Sequence, residues 1–306
     1  MIRSWKPYAL IALVVVAAAV TVWAQGPPLR RHHAVGTRPL NPITASEQPP
    51  STNQVSVEVH DGHRNVTANG IPDHKVGAFP NRSNPNAIRP QRYRIDLPAT
   101  PHPAEKVTSI YFAGRRGPPN MPFGITVTGV LMDPGTAEFW NGDRQAGWNY
   151  EALGGAVPLG IDENLAHVQP NGGYHYHGLP NPLLKNLGLK SGRHSPQVGW
   201  AADGFPVYAL YGYEDPKEAK SAVVKLKSSF RLKAGDRPGS DAAPDGNYDG
   251  TFVQDYEFVE GVGELDECNG RFCVTPEFPM GTYAYFLTNE WPVIPRAFRG
   301  TPVNLR

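Results

Sequence analysis

Three histidines close together in this sequence are the residues best suited to chemistry. His175 and His177 stand in the segment Tyr174-His175-Tyr176-His177, and His167 lies just upstream. Successive side chains of a β-strand point to opposite faces, so the two later histidines share one face. Imidazoles that share a face are typical ligands of zinc and copper, and catalytic zinc sites keep one position open for water. The alternative is a pair of hydrogen-bonded strand histidines beside a packed tyrosine face.

The turn before this strand decides whether His167 joins the other two histidines. Residues 169–172, Gln-Pro-Asn-Gly, fit a type I turn, which favours Pro, Asn and Gly at its second, third and fourth positions. A three-residue hairpin loop with Gly172 left-handed places His167 opposite His175, and directly opposed residues share a face. A two-residue loop would instead pair Val168 with His175 and turn His167 away. We predict the first register, in which three histidines converge.

Other residues are candidates for completing such a site. His74 ends the turn-rich segment Asn69-Gly-Ile-Pro-Asp-His74 and is a candidate fourth ligand. Asp73, Glu138 and Asp203 are candidates for a general base or for a carboxylate that orients a ligand. A surface turn is the alternative interpretation of residues 69–74.

A second cation site is suggested by Asp245, Asn247 and Asp249, which place oxygen ligands at alternate positions as the first half of a calcium loop does. Tyr256 occupies the position of the closing Glu, and residues 251–259 favour a strand, so the pattern excludes an EF-hand. The alternative is an Asp/Asn/Gly turn held by its own side chains.

The N-terminal residues indicate export. A basic start and an apolar run from about Tyr8 to Ala24 predict a signal peptide over residues 1–24, with an uncleaved membrane anchor as the alternative. Residues 25–52 are Pro-rich and predict a linker, which leaves one domain over residues 53–306. We therefore expect a periplasmic or secreted protein.

Charge and cysteine content narrow the classes of partner. The formal net charge is +1 for the whole chain, and it becomes −1 without Arg3 and Lys6. This balance predicts no nucleic-acid partner and no membrane contact beyond the signal segment, and it leaves a small molecule or a glycan. Cys268 and Cys273 predict a local disulfide in an exported protein, with a cysteine metal site as the minor alternative.

Composition predicts a mainly β fold. The 32 Gly and 32 Pro are spread through the chain, which favours short strands and turns over long helices. We expect a single compact domain of short antiparallel strands, sandwich-like, with one short helix and long Pro/Gly-rich loops. Alternation predicts strands over residues 55–59, 93–97, 124–130 and 206–211. The helix is predicted over residues 217–227, capped by Asp215.

The sequence also contains a short internal repeat. Residues 170–177 and 279–286 share the pattern P-x-G-x-Y-x-Y-x, and the second copy has Ala284 and Phe286 where the first has His175 and His177. If the copies are equivalent hairpins, the tyrosines are the scaffold and the histidines are a functional addition.

With these motifs the chain resembles the YHYH-motif proteins, an exported family named for the tetrapeptide seen here at residues 174–177. The resemblance extends over several further segments, which are 69–74, 79–86, 133–140, 203–206, 265–270 and 283–286. It implies no particular activity, because none is established for the family. Relatives in this family can carry the tetrapeptide after the Leu-Asp-x-Cys-Asn-Gly segment, where this chain has Tyr283-Ala-Tyr-Phe286. If that second location is the family's functional one, this protein has lost it, and the upstream histidines carry any chemistry alone.

Three functions are compatible with these residues. The first is an exported zinc- or copper-dependent enzyme, a hydrolase above all, with His167, His175 and His177 as ligands. The second is a non-catalytic extracytoplasmic module that binds metal, a glycan or a protein through aromatic residues such as Trp140, Trp148 and Trp200. The third is a structural protein in which the tyrosines and histidines only pack.

Overall fold

The structure, a computed structural model, describes residues 36–111 and 120–306. The predicted signal peptide and the first part of the predicted linker lie outside the described residues. Within them, no helix is both long enough and apolar enough to span a membrane.

The described chain is mainly β, as composition predicts. Its strands, in chain order, are β1 (Val55–His60), β2 (His63–Ala68), β3 (Tyr93–Pro98), β4 (Pro103–Ser109), β5 (Gly124–Thr126), β6 (Leu131–Met132), β7 (Ala166–Val168), β8 (Tyr174–Tyr176), β9 (Gly199–Ala201), β10 (Pro206–Ala209), β11 (Tyr211–Tyr213), β12 (Val223–Lys225), β13 (Phe230–Leu232), β14 (Tyr256–Phe258), β15 (Gly270–Cys273), β16 (Thr282–Leu287) and β17 (Ala297–Gly300). The helices are α1 (Asn181–Asn186) and four short 3₁₀ turns at Trp140–Gly142, Arg144–Ala146, Ala152–Gly154 and Val253–Asp255.

Eight of these strands form one mixed sheet, which carries the histidine segment near one edge. Its order is β15-β16-β10-β9-β5-β6-β8-β7. Most neighbours are antiparallel, but β6 runs parallel to β8 and β10 runs parallel to β16. Strands β1, β2 and β3 form a separate antiparallel sheet, and three pairs complete the fold, namely β11 with β12, β13 with β14, and β17 with β4.

The large sheet is two similar halves joined at its centre. The first half-sheet contains β5, β6, β8 and β7, and the second contains β9, β10, β16 and β15. Strands β5 and β9 meet antiparallel with Ile125 opposite Trp200. The hydrogen bonds on either side are reciprocal, because Val127 N donates to Val198 O at 2.8 Å and Ala202 N donates to Phe123 O at 2.8 Å. A pseudo-two-fold axis therefore passes between Ile125 and Trp200.

The strands of the two outer hairpins match in register, whereas the loop of the second hairpin, residues 274–281, is longer than that of the first, residues 169–173. Asp162 N donates to Ala166 O at 2.9 Å, and Asp266 N donates to Gly270 O at the same 2.9 Å. Ala166 pairs with Tyr176 in the first hairpin, and Gly270 pairs with Tyr285 in the second. The internal sequence repeat is thus also a structural repeat, in which β7–β8 corresponds to β15–β16.

The main core lies against one face of this sheet. All four tyrosines of the repeat, at positions 174, 176, 283 and 285, are buried in it. The other face is covered differently in the two halves. A second apolar cluster, which includes Tyr208, Ala284 and Phe286, covers the second half-sheet, whereas the first half-sheet presents histidines there.

The predicted helix over residues 217–227 is wrong. Asp215 does accept a hydrogen bond from Lys217 N at 2.8 Å, as a cap does, but the chain then makes turns and enters strand β12. Pairing with Tyr211–Tyr213 outweighs the local helix signal. The one α-helix within residues 36–111 and 120–306 is α1, with Pro182 in its first turn.

Two predicted strands are shorter than expected. Residues 124–130 form β5 and then a tight turn, with Gly129 at φ +79°, before β6. Residues 206–211 are interrupted at Leu210, whose φ of +62° separates β10 from β11. Side-chain alternation continues through such turns, so it did not mark these breaks.

The described part of the predicted linker is attached to the domain. Arg38 N donates to Gly154 O at 3.0 Å, and Ile43 N donates to Ile161 O at 2.9 Å. Glu47 and Val76 form an antiparallel bridge. Residues 36–52 therefore belong to the folded unit rather than to a spacer, because their backbone groups find partners on it.

Candidate metal centre

The β7–β8 hairpin has the register predicted from its turn. His167 lies opposite His175, and Val168 lies opposite Tyr174. The loop is closed by Gly172 N, which donates to Gln169 O at 2.8 Å, and Gly172 adopts φ +89°. A Cβ atom at position 172 would also come within 2.7 Å of the Arg89 side chain, so this turn requires glycine.

The three histidines converge on one point. His167, His175 and His177 each offer a ring nitrogen within 4.8 Å of the other two, and they are the one cluster of at least three His, Cys, Asp or Glu side chains of this kind among the described residues. Their ring centroids are 4.6 to 4.7 Å apart. The Nε2 atoms of His175 and His177 are separated by 3.0 Å.

Backbone carbonyls orient the rings so that Nε2 points inward. His167 Nδ1 lies 3.0 Å from Leu159 O, and His175 Nδ1 lies 3.2 Å from Gly173 O. A proton on each Nδ1 satisfies these contacts and leaves Nε2 as the free lone pair. His177 Nδ1 is buried and has no hydrogen-bond partner among the described residues, although the Pro134 carbonyl lies close enough to influence its pKa.

Burial keeps the triad neutral. It lowers the pKa of His167 to about 3, with the neighbouring His175 adding to the effect. It lowers the pKa of His175 to about 4, and it holds the pKa of His177 well below its ordinary value. His175 and His177 are 3% and 1% exposed, while His167 is partly exposed. Neutral imidazoles are the form that binds a metal.

Asp133 is a carboxylate beside the triad that the sequence did not single out. It follows β6, where Leu131 lies opposite His175, and its backbone N donates to Tyr176 O at 2.9 Å. Paired residues share a face, so Asp133 faces the same side as the histidines. Its side chain is 1% exposed and accepts hydrogen bonds from Asn120 and Gln169 at 2.8 and 2.9 Å.

Two arginines from the C-terminal part of the chain approach this face. Arg306 forms an ion pair with Asp133. Arg296 is bound to Glu151 at 2.8 Å, and it also donates to Pro134 O at 2.7 Å. Burial is the main cause of the lowered histidine pKa values, and these cations lower them further at His175 and His177. Positions 296 and 306 are so distant in sequence that no local pattern connects them to the triad.

His74 does not join the triad. Its Nε2 lies 2.6 Å from the Tyr176 hydroxyl, and its Nδ1 lies 2.8 Å from Lys75 O. Tyr176 points to the face opposite His175 and His177, so His74 is on the far side of β8. Alternation makes the tyrosines and histidines of one strand diverge, which the count of nearby histidines alone does not reveal.

The predicted catalytic carboxylates are also elsewhere. Asp73 is exposed and influences the pKa of Tyr176, on the tyrosine side. Asp203 accepts hydrogen bonds from the Tyr285 hydroxyl and from Gly300 N in the second half-sheet. Glu138 is partly buried, and its backbone carbonyl accepts from Tyr150 N at 3.0 Å. None of the three is part of the histidine cluster.

The predicted calcium loop is organised around an arginine. Arg237 forms ion pairs with Asp249 and Asp255, and it donates to the Asp245 carbonyl at 3.0 Å. Asp249 also accepts from Thr251 Oγ1 at 2.7 Å. These contacts fit the alternative interpretation, a turn held by its own side chains, and they place a guanidinium against the carboxylates.

The predicted disulfide is wrong, since Cys268 and Cys273 are both free and buried. Cys268 packs in the main core, whereas Cys273 packs in the second apolar cluster. The thiols point to opposite faces of the sheet, so short sequence separation does not bring them together. Burial raises the pKa of both thiols.

The tryptophans proposed for binding are each partly buried. Trp140 and Trp148 pack with Tyr150 and Phe252 in a third apolar cluster. Trp200 packs against the main core, and the Arg64 guanidinium lies 5.0 Å from its ring centroid. A glycan partner stays a prediction.

Comparison with protein families gives one finding. The model of the family described as "YHYH protein" matches residues 94–300, which is about two thirds of the chain and includes both tyrosine hairpins. Comparison with curated proteins and with solved structures gave no significant match. This chain therefore belongs to the YHYH family.

Proposed function

We propose that the chain is a metal-binding protein in which the Nε2 atoms of His167, His175 and His177 hold one zinc or copper ion. The observation that carries this proposal is the 3.0 Å separation between the Nε2 atoms of His175 and His177. Ligand nitrogens at 2.0–2.1 Å from a tetrahedral zinc ion lie about 3.3 Å apart, so this pair is already close to coordination geometry.

Without a cation, no placement of protons satisfies both rings. If His177 carries its proton on Nε2, it donates to His175 but leaves a bare Nδ1 against the Pro134 carbonyl, and that Nδ1 has no partner. If the proton is on Nδ1, then either two lone pairs oppose each other at 3.0 Å, or His175 donates from Nε2 and its own Nδ1 has no proton for the Gly173 carbonyl. A buried polar atom without a partner costs about 1–3 kcal/mol. An ion bound by both Nε2 atoms removes the conflict and orients the Nδ1 proton toward the carbonyl.

An open fourth position supports the finer proposal of a hydrolase. No fourth His, Cys, Asp or Glu of the described residues completes the cluster. Zinc with three protein ligands and a bound water lowers the pKa of that water to about 7. Asp133 lies on the same face of the sheet and is the carboxylate in place to accept a proton or to orient the water.

Metal content tests the main proposal directly. We expect the purified chain, dialysed against one equivalent of Zn²⁺ or Cu²⁺, to retain about one ion per chain by mass spectrometry. His175→Ala and His177→Ala should each reduce retention at least tenfold. His60→Ala is the matched control, because His60 is an exposed histidine of β1. Equal retention by all four proteins, or none by the wild type, would contradict metal binding at the triad.

Hydrolysis needs its own assay. We expect the zinc-loaded chain to hydrolyse p-nitrophenyl acetate faster than the chelated chain, with the rate restored by added zinc. Asp133→Asn should lower the rate while it leaves the zinc content unchanged. If zinc binds but the rate is the same with and without chelator, the protein is a non-catalytic metal-binding module, which is the alternative proposal.

Export belongs to the proposal as well, with the signal peptide over residues 1–24 as its support. We expect the processed chain to appear in the periplasmic or extracellular fraction of cells that express the full sequence. A small molecule is the expected partner. Mass spectrometry of the recovered protein gives its first residue and thus separates cleavage after Ala24 from retention as an anchor.

A further inference from the structure

The charged side chains around the triad form ion pairs that carry no net charge. On the face that carries the histidines, Asp133 is paired with Arg306, and Glu151 is paired with Arg296. The carboxylates are 1% and 4% exposed, so both pairs are shielded from water on their acidic side. Each pair is neutral as a unit, and neither contributes net charge to its surroundings.

Three of these four charged groups act electrostatically on a triad histidine. Asp133 acts electrostatically on His167, Arg306 acts on His175, and Arg296 acts on His177. Asp162 and Asp73 lie on the opposite side of β8, where they influence the tyrosines. The described residues therefore surround the triad with two acids and two bases in balance.

This balance has a consequence for a bound metal. Three neutral imidazoles give a divalent ion no negative charge, so an ion at the triad would bring two uncompensated positive charges into a largely buried site. An uncompensated buried charge is strongly unfavourable, and the ion is the largest local charge in such a site. Structural zinc sites solve this with thiolate or carboxylate ligands, which the triad lacks.

We propose that a small anionic ligand of the carboxylate type exchanges with the water at the fourth coordination position, and that Arg306 is its second contact. This inference rests on the proposed metal site. Arg306 is suitable because its guanidinium presents more donors than the ion pair with Asp133 uses, and its planar fork matches a carboxylate.

We expect such a ligand to reach the triad from solvent beside Arg306. His175 and His177 are buried, but His167 is partly exposed and the Arg306 side chain is 31% exposed. Both residues lie beside the buried part of the triad and have side-chain surface in contact with solvent. A small anion that enters on this side meets the guanidinium before it meets the ion.

Formate binding to the cobalt-substituted full chain is the deciding experiment. Co²⁺ replaces zinc and reports its coordination through visible absorption bands. We expect formate to change these bands in a saturable way, with a dissociation constant in the millimolar range or below, and the neutral analogue formamide to change nothing. If cobalt bands appear but formate leaves them unchanged, this inference is overturned and the metal site stands. If no cobalt bands appear, the proposed metal site itself fails.

Two substitutions of one ion pair give opposite expectations. Asp133→Asn frees the Arg306 charge and should tighten formate binding about tenfold, whereas Arg306→Gln leaves the Asp133 charge uncompensated and should weaken it about tenfold. Arg94→Gln, at an exposed position of β3, is the control and should have no effect.

Folding is checked separately for each variant. Arg306→Lys keeps the charge but loses the planar fork, so it should bind formate more weakly than the wild type and more tightly than Arg306→Gln. Shifts of the same sign for Asp133→Asn and Arg306→Gln would contradict the role of Arg306. The wild-type titration decides whether an anion binds, and Arg306→Lys tests the arginine contact if Arg306→Gln fails to fold.

Discussion

The two halves of the large sheet have the same strand arrangement. On the face opposite the main core, however, they carry different kinds of side chain. In the first half-sheet that face carries His167, His175 and His177. The equivalent positions of the second half-sheet hold Arg271, Ala284 and Phe286. Asp133 corresponds to Tyr208 by the same pairing.

The second half-sheet shows what this position looks like when it serves packing alone. Phe286 is fully buried, its ring centroid lies 5.7 Å from that of Tyr208, and the Arg271 guanidinium lies 5.7 Å above it. The conserved plan of the two halves shows that the hairpin does not need histidines in order to fold. Three polar rings at the equivalent positions, two of them buried, therefore point to a role other than packing.

The largest expected difference between the halves concerns side-chain truncation. Phe286→Ala should lower the free energy of unfolding by about 3–5 kcal/mol, because it leaves a cavity in an apolar cluster. His177→Ala, at the equivalent position, should cost less than about 1 kcal/mol in the presence of chelator, since it also removes a buried nitrogen without a partner.

Urea denaturation of both variants measures this difference. Equal losses would mean that the histidine face is packed as tightly as the apolar one, and the distinction between the halves would be broken.

The tyrosine faces should respond alike. The Tyr174 hydroxyl donates to Asp162 at 2.8 Å, and the Tyr283 hydroxyl lies 2.9 Å from Asp266. Tyr174→Phe and Tyr283→Phe each remove a partner from a carboxylate with little solvent access, so each should cost about 1–3 kcal/mol. Thermal unfolding of the two variants checks this, and values that differ by more than about 2 kcal/mol would show that the tyrosine faces are not equivalent.

Alanine substitution of the two turn glycines distinguishes the cost of a left-handed backbone from the cost of a steric clash. Gly172 and Gly281 have φ of +89° and +94°, but a Cβ would meet Arg89 only at position 172. Alanine at either position should cost about 1–2 kcal/mol from the left-handed conformation. Gly172→Ala should cost more than Gly281→Ala and should also weaken metal binding, because the turn sets the register of His167. Equal stability losses with unchanged metal retention would show that the register does not depend on this contact.

The smallest effect per residue is the dependence of stability on pH. The pKa of His175 is about 4 in the folded protein, while an unfolded histidine titrates near 6.5. The unfolded chain binds more protons between these values, so stability is fully present above pH 6.5 and falls as the pH decreases. The metal-free protein should lose on the order of 1 kcal/mol per triad histidine between pH 6.5 and 5.5.

Urea midpoints at these two pH values measure the effect. His175→Gln should reduce the loss, and His60→Ala should not change it. A wild-type midpoint that does not vary with pH would show that these rings titrate normally and are open to solvent.

Local sequence signals predicted the hairpin because its geometry is decided locally. Residues 170–172 fix the turn, the turn fixes the register, and the register brings His167 to the other two histidines. The mainly β fold follows from turn-forming residues in the same way. These features depend on neighbours in the chain rather than on long-range packing.

The errors arose where the answer depends on which face of a sheet a residue occupies. His74 lies near the tetrapeptide, but on the tyrosine side of β8. Cys268 and Cys273 are close in sequence and still pack in different clusters. Asp133 was missed because only the parallel pairing of β6 with β8 places it on the histidine face. Sequence distance does not encode that pairing.

The pseudo-two-fold axis between β5 and β9 has a consequence for stoichiometry. Two identical chains that met through such a strand pair would form an isologous dimer, and symmetry would require every site to occur twice. One chain that carries both halves is free of that requirement. It keeps the histidines in one copy and an apolar cluster in the other, so the described residues hold one histidine cluster and one apolar counterpart at the equivalent position. The second hairpin thus shows how the same strand arrangement packs when apolar residues replace His175 and His177.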